Sequence, residues 1–390
     1  MKFKIAMVFC VLLIEMFWLQ SPNGSLYAQQ LINKDSPEVK ALIEECRAAI
    51  QTEMKKTNTP GLSIAIIWDG KQLWTENFGS TDGTGKKKVT NETIFAIQSL
   101  SKQITAVAIL TAVQDGILDL DAPISIYLPG FSLNSRFEER PQDKITLRLL
   151  LSHRAGFAHN LADIDSAEAR ERSLEQHVRE IAKTELIHPV GEQFSYSNIG
   201  FDLAGYILQK ISGEPFGQYV GRKVFKPLAM DNSFMIATEI KNHENRAVGN
   251  IKDIQLSGEI PLFPSLGVFC TIEDMAKFVQ FNLNGGKVNG KTILKHDILQ
   301  QMYAVPFDTS GKNEGYALGI AVYHRRHNGD IVPICVHSGD GYGFSADIFY
   351  APESGLGTLI LTNQNNFNMR WRGDLEDMIY RHLGNRLEFF

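Results

Sequence analysis

The chain has 390 residues, of which 44% are hydrophobic and 21% are charged, and its formal net charge is −5. This length allows one large domain or two ordinary ones, and the balance of residues excludes a mostly disordered chain. Because there is neither a basic surplus nor a long basic run, nucleic acid is not expected as a partner.

The first predicted element is an export signal. Two lysines precede an apolar run over residues 5–19, and small residues follow as far as Ala28. This order is typical of a secretory signal peptide, so we predict removal of residues 1–28 and export to the periplasm or cell surface of a bacterium. The alternative is an uncleaved anchor. The run is shorter than a bilayer span and contains Glu15, so no stable membrane span is expected after cleavage.

Strands are predicted near both ends of the chain, with helices between them. The first stretch contains a helix over Val39–Met54 and a hairpin of strands Leu62–Trp68 and Gln72–Phe78, joined by an Asp-Gly turn. The middle stretch contains helices over Ser99–Gln114, from Ser173 to about Leu186, after Asn198 as far as Gly213, and from Thr271 to about Gly285. The last stretch contains strands Tyr316–His324, Ile331–His337, Phe344–Tyr350 and Leu356–Leu361, then a helix over Met369–Leu383.

This order of elements predicts an α+β fold, an α/β sandwich in which one antiparallel sheet from both chain ends is flanked by helices. We expect residues 29–390 to form a single catalytic unit. Within it, a helical subdomain over about 93–286 is inserted beside a sheet subdomain of about 37–92 plus 287–390.

Three cysteines, Cys46, Cys270 and Cys335, follow the predicted signal. An odd number in apolar surroundings does not fit a full disulfide framework, and no C-x-x-C pair suggests zinc or redox chemistry. We therefore expect the three to be small buried hydrophobic residues, and we expect no metal and no other cofactor.

The helix at Ser99 carries the clearest chemical signal. Between Thr93 and Gln114 the only charged side chain is Lys102, on a helix that is apolar nearly all round and is therefore expected to be buried. Burial and the positive end of the helix dipole lower the pKa of a lysine, and a neutral amine is a competent general base. Ser99 lies on the same face and within its reach. A helix cap followed by a snorkelling lysine is the structural alternative.

Two further motifs combine chemistry-bearing side chains. In Tyr196-Ser197-Asn198, the tyrosine hydroxyl can relay a proton and the asparagine amide can orient a substrate carbonyl. A buried tyrosine and an asparagine N-cap are the structural alternative. In His337-Ser338-Gly339, the glycine lets a substrate backbone approach the end of a strand. A hydrogen-bonded core histidine is the alternative there.

In this order, the three motifs resemble those of the penicillin-recognising serine hydrolases. The nearest groups are class C β-lactamases, D-alanyl-D-alanine carboxypeptidases and β-lactamase-like esterases. The resemblance covers about residues 59–363 and includes the passage ITLRLLLSHRAG at 145–156. It implies a β-lactamase/transpeptidase-like fold.

The resemblance also implies roles for the motif residues. Ser99 would be the nucleophile, Lys102 its base and Tyr196 the proton shuttle. The backbone N–H groups of Ser99 and Asp340 would form the oxyanion hole. Because the lysine fills the role of base, His153 is expected to be a helix-end or core residue. The substrate-binding residues would be Asn198, His337, Ser338, Gly339 and Asp340.

One motif departs from the β-lactamase pattern. Enzymes of this group usually carry Lys-Thr-Gly where this chain has His-Ser-Gly. A lysine charge helps to recognise a substrate carboxylate, whereas a histidine is mostly neutral at pH 7, and histidine at this place occurs among the family's peptidases and esterases. Asp340 would also disfavour anionic substrates if its side chain pointed into the site.

We therefore predict a serine hydrolase that acts through an acyl-enzyme on amide, β-lactam or ester bonds of a small-molecule or peptide substrate. D-amino-acid peptides and esters rank slightly above β-lactams. The alternatives are a slowly deacylating penicillin-binding or sensor protein, which would use the same residues, and a carboxylesterase with no β-lactam activity.

Overall fold

The computed structural model describes residues 34–241, 243–251, 254–255, 262–306, 314–327, 330–365, 369–383 and 387–388. The predicted signal peptide, residues 1–28, lies outside these ranges. Among the helices within them, none combines the length and the apolar character that crossing a bilayer requires.

The strands are, in chain order, β1 Gly61–Trp68, β2 Lys71–Gly79, β3 Phe95–Ala96, β4 Ser233–Phe234, β5 Asn250–Ile251, β6 Ile254–Gln255, β7 Phe269–Cys270, β8 Lys287–Val288, β9 Lys291–Thr292, β10 Gly315–Tyr316, β11 Ala321–His327, β12 Asp330–Gly341, β13 Phe344–Ala351, β14 Leu356–Thr362 and β15 Leu387–Glu388.

The α-helices are α1 Pro37–Thr57, α2 Ser101–Gln114, α3 Ile124–Tyr127, α4 Leu147–Leu151, α5 Ala167–Glu171, α6 Leu174–Ile181, α7 Asn198–Ser212, α8 Phe216–Val220, α9 Ala237–Lys241, α10 Ile272–Leu283, α11 His296–Gln300 and α12 Met369–His382. Two short 3-10 turns cover Gln98–Leu100 and Pro141–Asp143, and a π-helical turn covers Gly221–Phe225.

The main sheet is antiparallel and contains strands from both ends of the chain. Its order is β10-β11-β12-β13-β14-β1-β2, and β15 pairs with β11. The two ends meet where β1 lies beside β14, with Leu62 opposite Thr362. Most of the helices come from the intervening chain. The predicted fold class is therefore confirmed.

Both faces of this sheet are covered. In β1, Ile64 and Ile66 belong to the core that includes residues of α1 and α12, whereas Ala65 and Ile67 belong to the larger core shared with the helical part. Successive side chains of a strand point to opposite faces. A central strand covered on both faces is therefore apolar at consecutive positions, as the sequence of β1 is.

Several predicted elements differ in their bounds, three of them as follows. Helix α6 starts with the expected capping box but ends at Ile181, because the following backbone pairs with Asn134, whose carbonyl accepts from the Leu186 N–H at 2.9 Å. The predicted strand Tyr316–His324 is divided into β10 and β11 by a turn at Gly319, whose φ is +78°. The helix predicted from Ser99 begins as a 3-10 turn, and α2 follows it.

The three cysteines that follow the predicted signal are buried, as expected. Cys46, Cys270 and Cys335 are each 0% exposed and carry free thiols. Cys46 belongs to the core beneath α1, and the other two belong to the larger core. They therefore contribute packing on both sides of the sheet.

Candidate active site

Ser99 lies in the short 3-10 turn that enters α2, where the large core meets the edge of β12. The preceding residue, Gln98, is buried and has a φ of +50°. A left-handed backbone costs about 1–2 kcal/mol for a residue other than glycine, and such strain concentrates at functional sites. The bend places Ser99 at the junction between the helical part and the sheet.

Lys102 is fully buried, one helical turn beyond Ser99, and its amine has three oxygen neighbours. Its Nζ lies 3.0 Å from Ser99 Oγ, 2.7 Å from Asn198 Oδ1 and 2.9 Å from the Ser265 carbonyl oxygen. The amide oxygen and the carbonyl can only accept hydrogen bonds. A neutral amine therefore donates its two hydrogens to them and turns its lone pair toward the Ser99 hydroxyl.

Burial lowers the pKa of Lys102 to about 7, against an opposing effect of the negative charge of Asp202. A substantial fraction of the amine is thus neutral at neutral pH. The helix was expected to be buried and the lysine pKa to be lowered, and both expectations hold.

Tyr196 completes the hydrogen bonding of Ser99. Burial raises the pKa of Tyr196 to about 12, and its hydrogen bond with Ser99 acts in the opposite direction. Its ring centroid is 4.9 Å from Lys102 Nζ and 4.2 Å from the ring of His153. The phenol therefore keeps its proton near neutral pH, next to the serine hydroxyl and the amine.

Asn198 is the first residue of α7, and the N-cap of this helix is Ser197, whose hydroxyl accepts from the Gly200 N–H. The alternative of an asparagine N-cap is therefore wrong. Because the serine caps the helix, the Asn198 amide can accept from Lys102 through Oδ1 and donate from Nδ2 to Asn160 Oδ1 at 2.7 Å.

Gly339 of β12 lies against the turn that holds Ser99. A Cβ atom on Gly339 would stand 2.4 Å from the Ile97 carbonyl oxygen and 2.9 Å from the Ser99 nitrogen, distances that real Cβ atoms essentially never show. Only glycine lets the strand approach this closely. The same contact shows that the face of β12 carrying His337 and Gly339 is the one turned toward Ser99.

His337 is buried and carries no charge at neutral pH. Its Nδ1 is 2.8 Å from the Ser338 carbonyl oxygen, which can only accept, so this nitrogen carries the hydrogen. Its Nε2 then accepts from the Tyr316 hydroxyl at 2.7 Å. Burial, and to a smaller extent the charge of Lys102, lowers the pKa of His337 to about 3. The strand motif therefore presents a neutral ring.

The side chains of Ser338 and Asp340 lie on the opposite face of β12. The Ser338 hydroxyl donates to Asp347 Oδ1 at 2.6 Å, and Arg372 of α12 pairs with the same carboxylate at 2.5 Å. Asp340 is exposed and accepts from the Ser345 hydroxyl. Four residues of this strand were predicted to bind substrate, and only His337 and Gly339 lie on the face turned toward Ser99. Ser338 and Asp340 could contact a substrate at this site only through their backbone groups.

Several residues at the site were not found from the sequence. Ser265 contacts Lys102 through its backbone carbonyl group, which every residue type possesses. Gln98 shapes the turn through its positive φ, and this backbone angle leaves no pattern in the sequence. Tyr316 is the last residue of the short strand β10, and only the fold brings its hydroxyl to His337. His153, predicted to be a helix-end or core residue, is buried just after α4, and its Nδ1 accepts from the Ser197 N–H at 3.0 Å.

Comparisons with known sequences and structures relate the chain to one family. A family model described as Beta-lactamase matches residues 46–380. Protein flp of Staphylococcus aureus strain MRSA252 is 27% identical over 348 residues, which cover 86% of this chain and 64% of that protein. The chain therefore spans slightly less than two thirds of the length of this relative.

Two further relatives match over most of their own length. A beta-lactamase of Yersinia enterocolitica is 28% identical over 345 residues, which cover 80% of this chain and 84% of the relative. The structure of the octameric penicillin-binding protein homologue from Pyrococcus abyssi superimposes with a TM-score of 0.73 and 25% identity. That match covers 88% of this chain and 77% of the other.

Proposed function

The chain belongs to the beta-lactamase family, within the serine hydrolase superfamily, and we propose that it hydrolyses amide, β-lactam or ester bonds through an acyl-enzyme on Ser99. The observation that carries this proposal is the 3.0 Å contact between Ser99 Oγ and the buried amine of Lys102, whose pKa is about 7. A serine hydroxyl is a weak nucleophile until an adjacent base can take its proton.

The proposed acylation uses these groups in turn. Ser99 Oγ attacks the substrate carbonyl carbon while its proton passes to Lys102, and the carbonyl oxygen becomes an oxyanion held by the backbone N–H groups of Ser99 and Asp340. Each such donor is worth about 3–4 kcal/mol in the transition state. When the intermediate collapses, the Tyr196 hydroxyl protonates the leaving group, and the proton held by Lys102 restores the phenol.

Deacylation runs in the reverse order. A water molecule replaces the leaving group and attacks the acyl carbon, while the Tyr196 and Lys102 pair accepts its proton. The new oxyanion collapses, the bond from Ser99 Oγ to the acyl group breaks, and the serine regains its hydrogen. No cofactor is required at any step.

We rank D-amino-acid peptides and esters slightly above β-lactams as substrates. This ranking rests on His337, a neutral ring at the place where a lysine charge would attract a substrate carboxylate. A carboxylesterase with no β-lactam activity is the second candidate, favoured by the same observation. We also propose export from the cytoplasm, on the evidence of the first 28 residues of the sequence.

The test is the intact mass of the mature protein during incubation with benzylpenicillin, a p-nitrophenyl ester and a D-alanine p-nitroanilide. Ser99→Ala is treated in parallel, and Ser354→Ala, in the turn after β13, is the matched serine control. We expect an acyl adduct in the wild type and the control, and none in Ser99→Ala.

The lifetime of the adduct separates the candidate functions. A persistent penicillin adduct identifies a slowly deacylating binding protein, and a transient one with consumed penicillin identifies a β-lactamase. An adduct with the ester or anilide alone identifies an esterase or a peptidase. Full turnover of all three compounds by Ser99→Ala would contradict the proposal.

A further inference from the structure

A second layer of buried polar groups lies beneath Lys102. Asp202 of α7, 1% exposed, accepts from the Ser265 N–H at 2.9 Å through Oδ1. The carbonyl of the same residue, Ser265, accepts from Lys102 at 2.9 Å. A single residue therefore links the carboxylate to the amine, through its N–H on one side and its carbonyl on the other.

His177 of α6 holds the other oxygen of this carboxylate. Its Nε2 lies 3.0 Å from Asp202 Oδ2, and its ring stacks on Phe263 with the centroids 4.0 Å apart. Within the described ranges, its buried Nδ1 has no hydrogen-bond partner. A protonated ring would bury an unpaired cationic N–H at that position, so the geometry favours a neutral ring that donates to an ionised carboxylate. The pair then carries one negative charge.

The negative charge of Asp202 acts on Lys102, whose pKa it raises against the larger effect of burial. The other titratable groups that face the amine come from different elements. They are Tyr196, which keeps its proton, and the rings of His153, His159 and His337, whose pKa values are lowered by burial. These four are uncharged near pH 7, so Asp202 supplies the charge that opposes burial. Near His177, Asp163 and Arg172 form a charged pair.

We propose that Asp202, anchored by His177, is a positioning residue for Lys102, which it serves by holding the Ser265 carbonyl on the amine and by placing a negative charge below it. Without the charge, the buried amine would release its proton at a lower pH and would be a weaker base. The role of Asp202 in catalysis rests on the proposed function, whereas its effect on the amine does not.

The test measures the protonation of Lys102 directly. Lysine labelled with 13C at Cε and 15N at Nζ is incorporated into the mature protein, and Lys102→Met identifies its signal in the NMR spectrum. We expect the wild type to titrate near pH 7 and Asp202→Asn to titrate about one pH unit lower. An unchanged midpoint would overturn the proposal.

The matched control is Asp274→Asn. Asp274 is also a fully buried carboxylate that accepts from a backbone N–H, that of Asn232, but it belongs to α10. Its loss should destabilise the fold to a similar degree without moving the Lys102 midpoint. If Asp202→Asn does not fold, Asp202→Ser, which leaves room for water, replaces it with the same expected shift. An equal shift in the control would show a general effect of lost stability and would contradict the proposal.

A kinetic measurement then connects the shift to acylation. In the Asp202→Asn variant, the acid limb of the pH profile for Ser99 acylation should move to lower pH by the same interval. The rate on the alkaline plateau should fall. A purely structural role would lower the rate at every pH and leave the limb in place. Failure of Ser99 to acylate would remove the proposed function, yet the NMR midpoints would still decide the role of Asp202.

Discussion

The two sides of the candidate site differ in what their side chains bond to. The helix side, which we define as Ser99, Lys102, Tyr196 and Asn198, is a network in which each side chain bonds another around the buried amine of Lys102. The strand side, His337 to Asp340, offers a neutral ring and a glycine. Proton transfer depends on fixed geometry and shifted pKa values, which burial provides. We expect the strand side instead to determine which substrates can lie along β12.

The largest effect is expected from a substitution on the helix side. Lys102→Met keeps most of the volume and removes the base, so we expect acylation to slow by about 10⁴-fold. Lys210→Met, on the exposed side of α7, is the matched control. Stopped-flow measurement of the ester burst, together with circular dichroism for the fold, checks this. A loss of less than tenfold would mean that another group takes the serine proton.

The corresponding change on the strand side is Gly339→Ala. The added methyl group would overlap Ile97 and the Ser99 nitrogen, displacing β12 from the proposed oxyanion hole, so we expect kcat/KM to fall by about 10²- to 10³-fold. Gly373→Ala in α12 meets no atom within 4 Å and serves as the control. Normal turnover by Gly339→Ala would show that the strand can move away without consequence.

The pH dependence distinguishes the two sides without mutation. Only neutral Lys102 accepts a proton, so the acylation rate should rise with pH through about 7 and fall about tenfold for each unit below it. His337, with a pKa of about 3, should add no inflection between pH 5 and pH 9. Rates measured across this range, with Asp202→Asn for comparison, test both statements; a plateau extending down to pH 5 would contradict the first.

A smaller effect is expected when the strand motif is changed toward the Lys-Thr-Gly pattern that β-lactamases of this group usually carry. His337→Lys introduces an amine beside the Tyr316 hydroxyl, so we expect the ratio of kcat/KM for benzylpenicillin to that for a neutral ester to rise about tenfold. His337→Gln, which adds no charge, should leave the ratio near its original value. Equal ratios in the two variants would show that charge at this position does not select the substrate.

The smallest effect concerns the far face of β12. Ser338→Ala removes the bond to Asp347 on the side of α12, so we expect about 1 kcal/mol less stability and less than a threefold change in kcat/KM. Urea unfolding and steady-state rates are the measurements. A loss of activity without a loss of stability would place the hydroxyl in substrate binding after all.

The sequence predicted the sheet from both chain ends and the buried Ser-x-x-Lys helix, because hydrophobic periodicity and charge placement are local properties. It did not predict which face of β12 carries Ser338 and Asp340, since that depends on where the strand begins to pair. Nor did it show Ser265 or Asp202 beneath the lysine. A backbone carbonyl group is common to all residue types, so the sequence does not mark it. The carboxylate of Asp202, one turn beyond Asn198, acts on Lys102 only because the fold buries it there.

The pairing of β1 with β14 also governs when this protein can fold. Leu62 cannot pair with Thr362 until synthesis has passed that residue, and such long-range pairing makes folding slow. Until then, one edge of a strongly apolar strand stays open to other chains. A chain that ends at Gly343 should therefore aggregate during refolding more readily than the chain of 390 residues, and light scattering during dilution from urea would detect the difference.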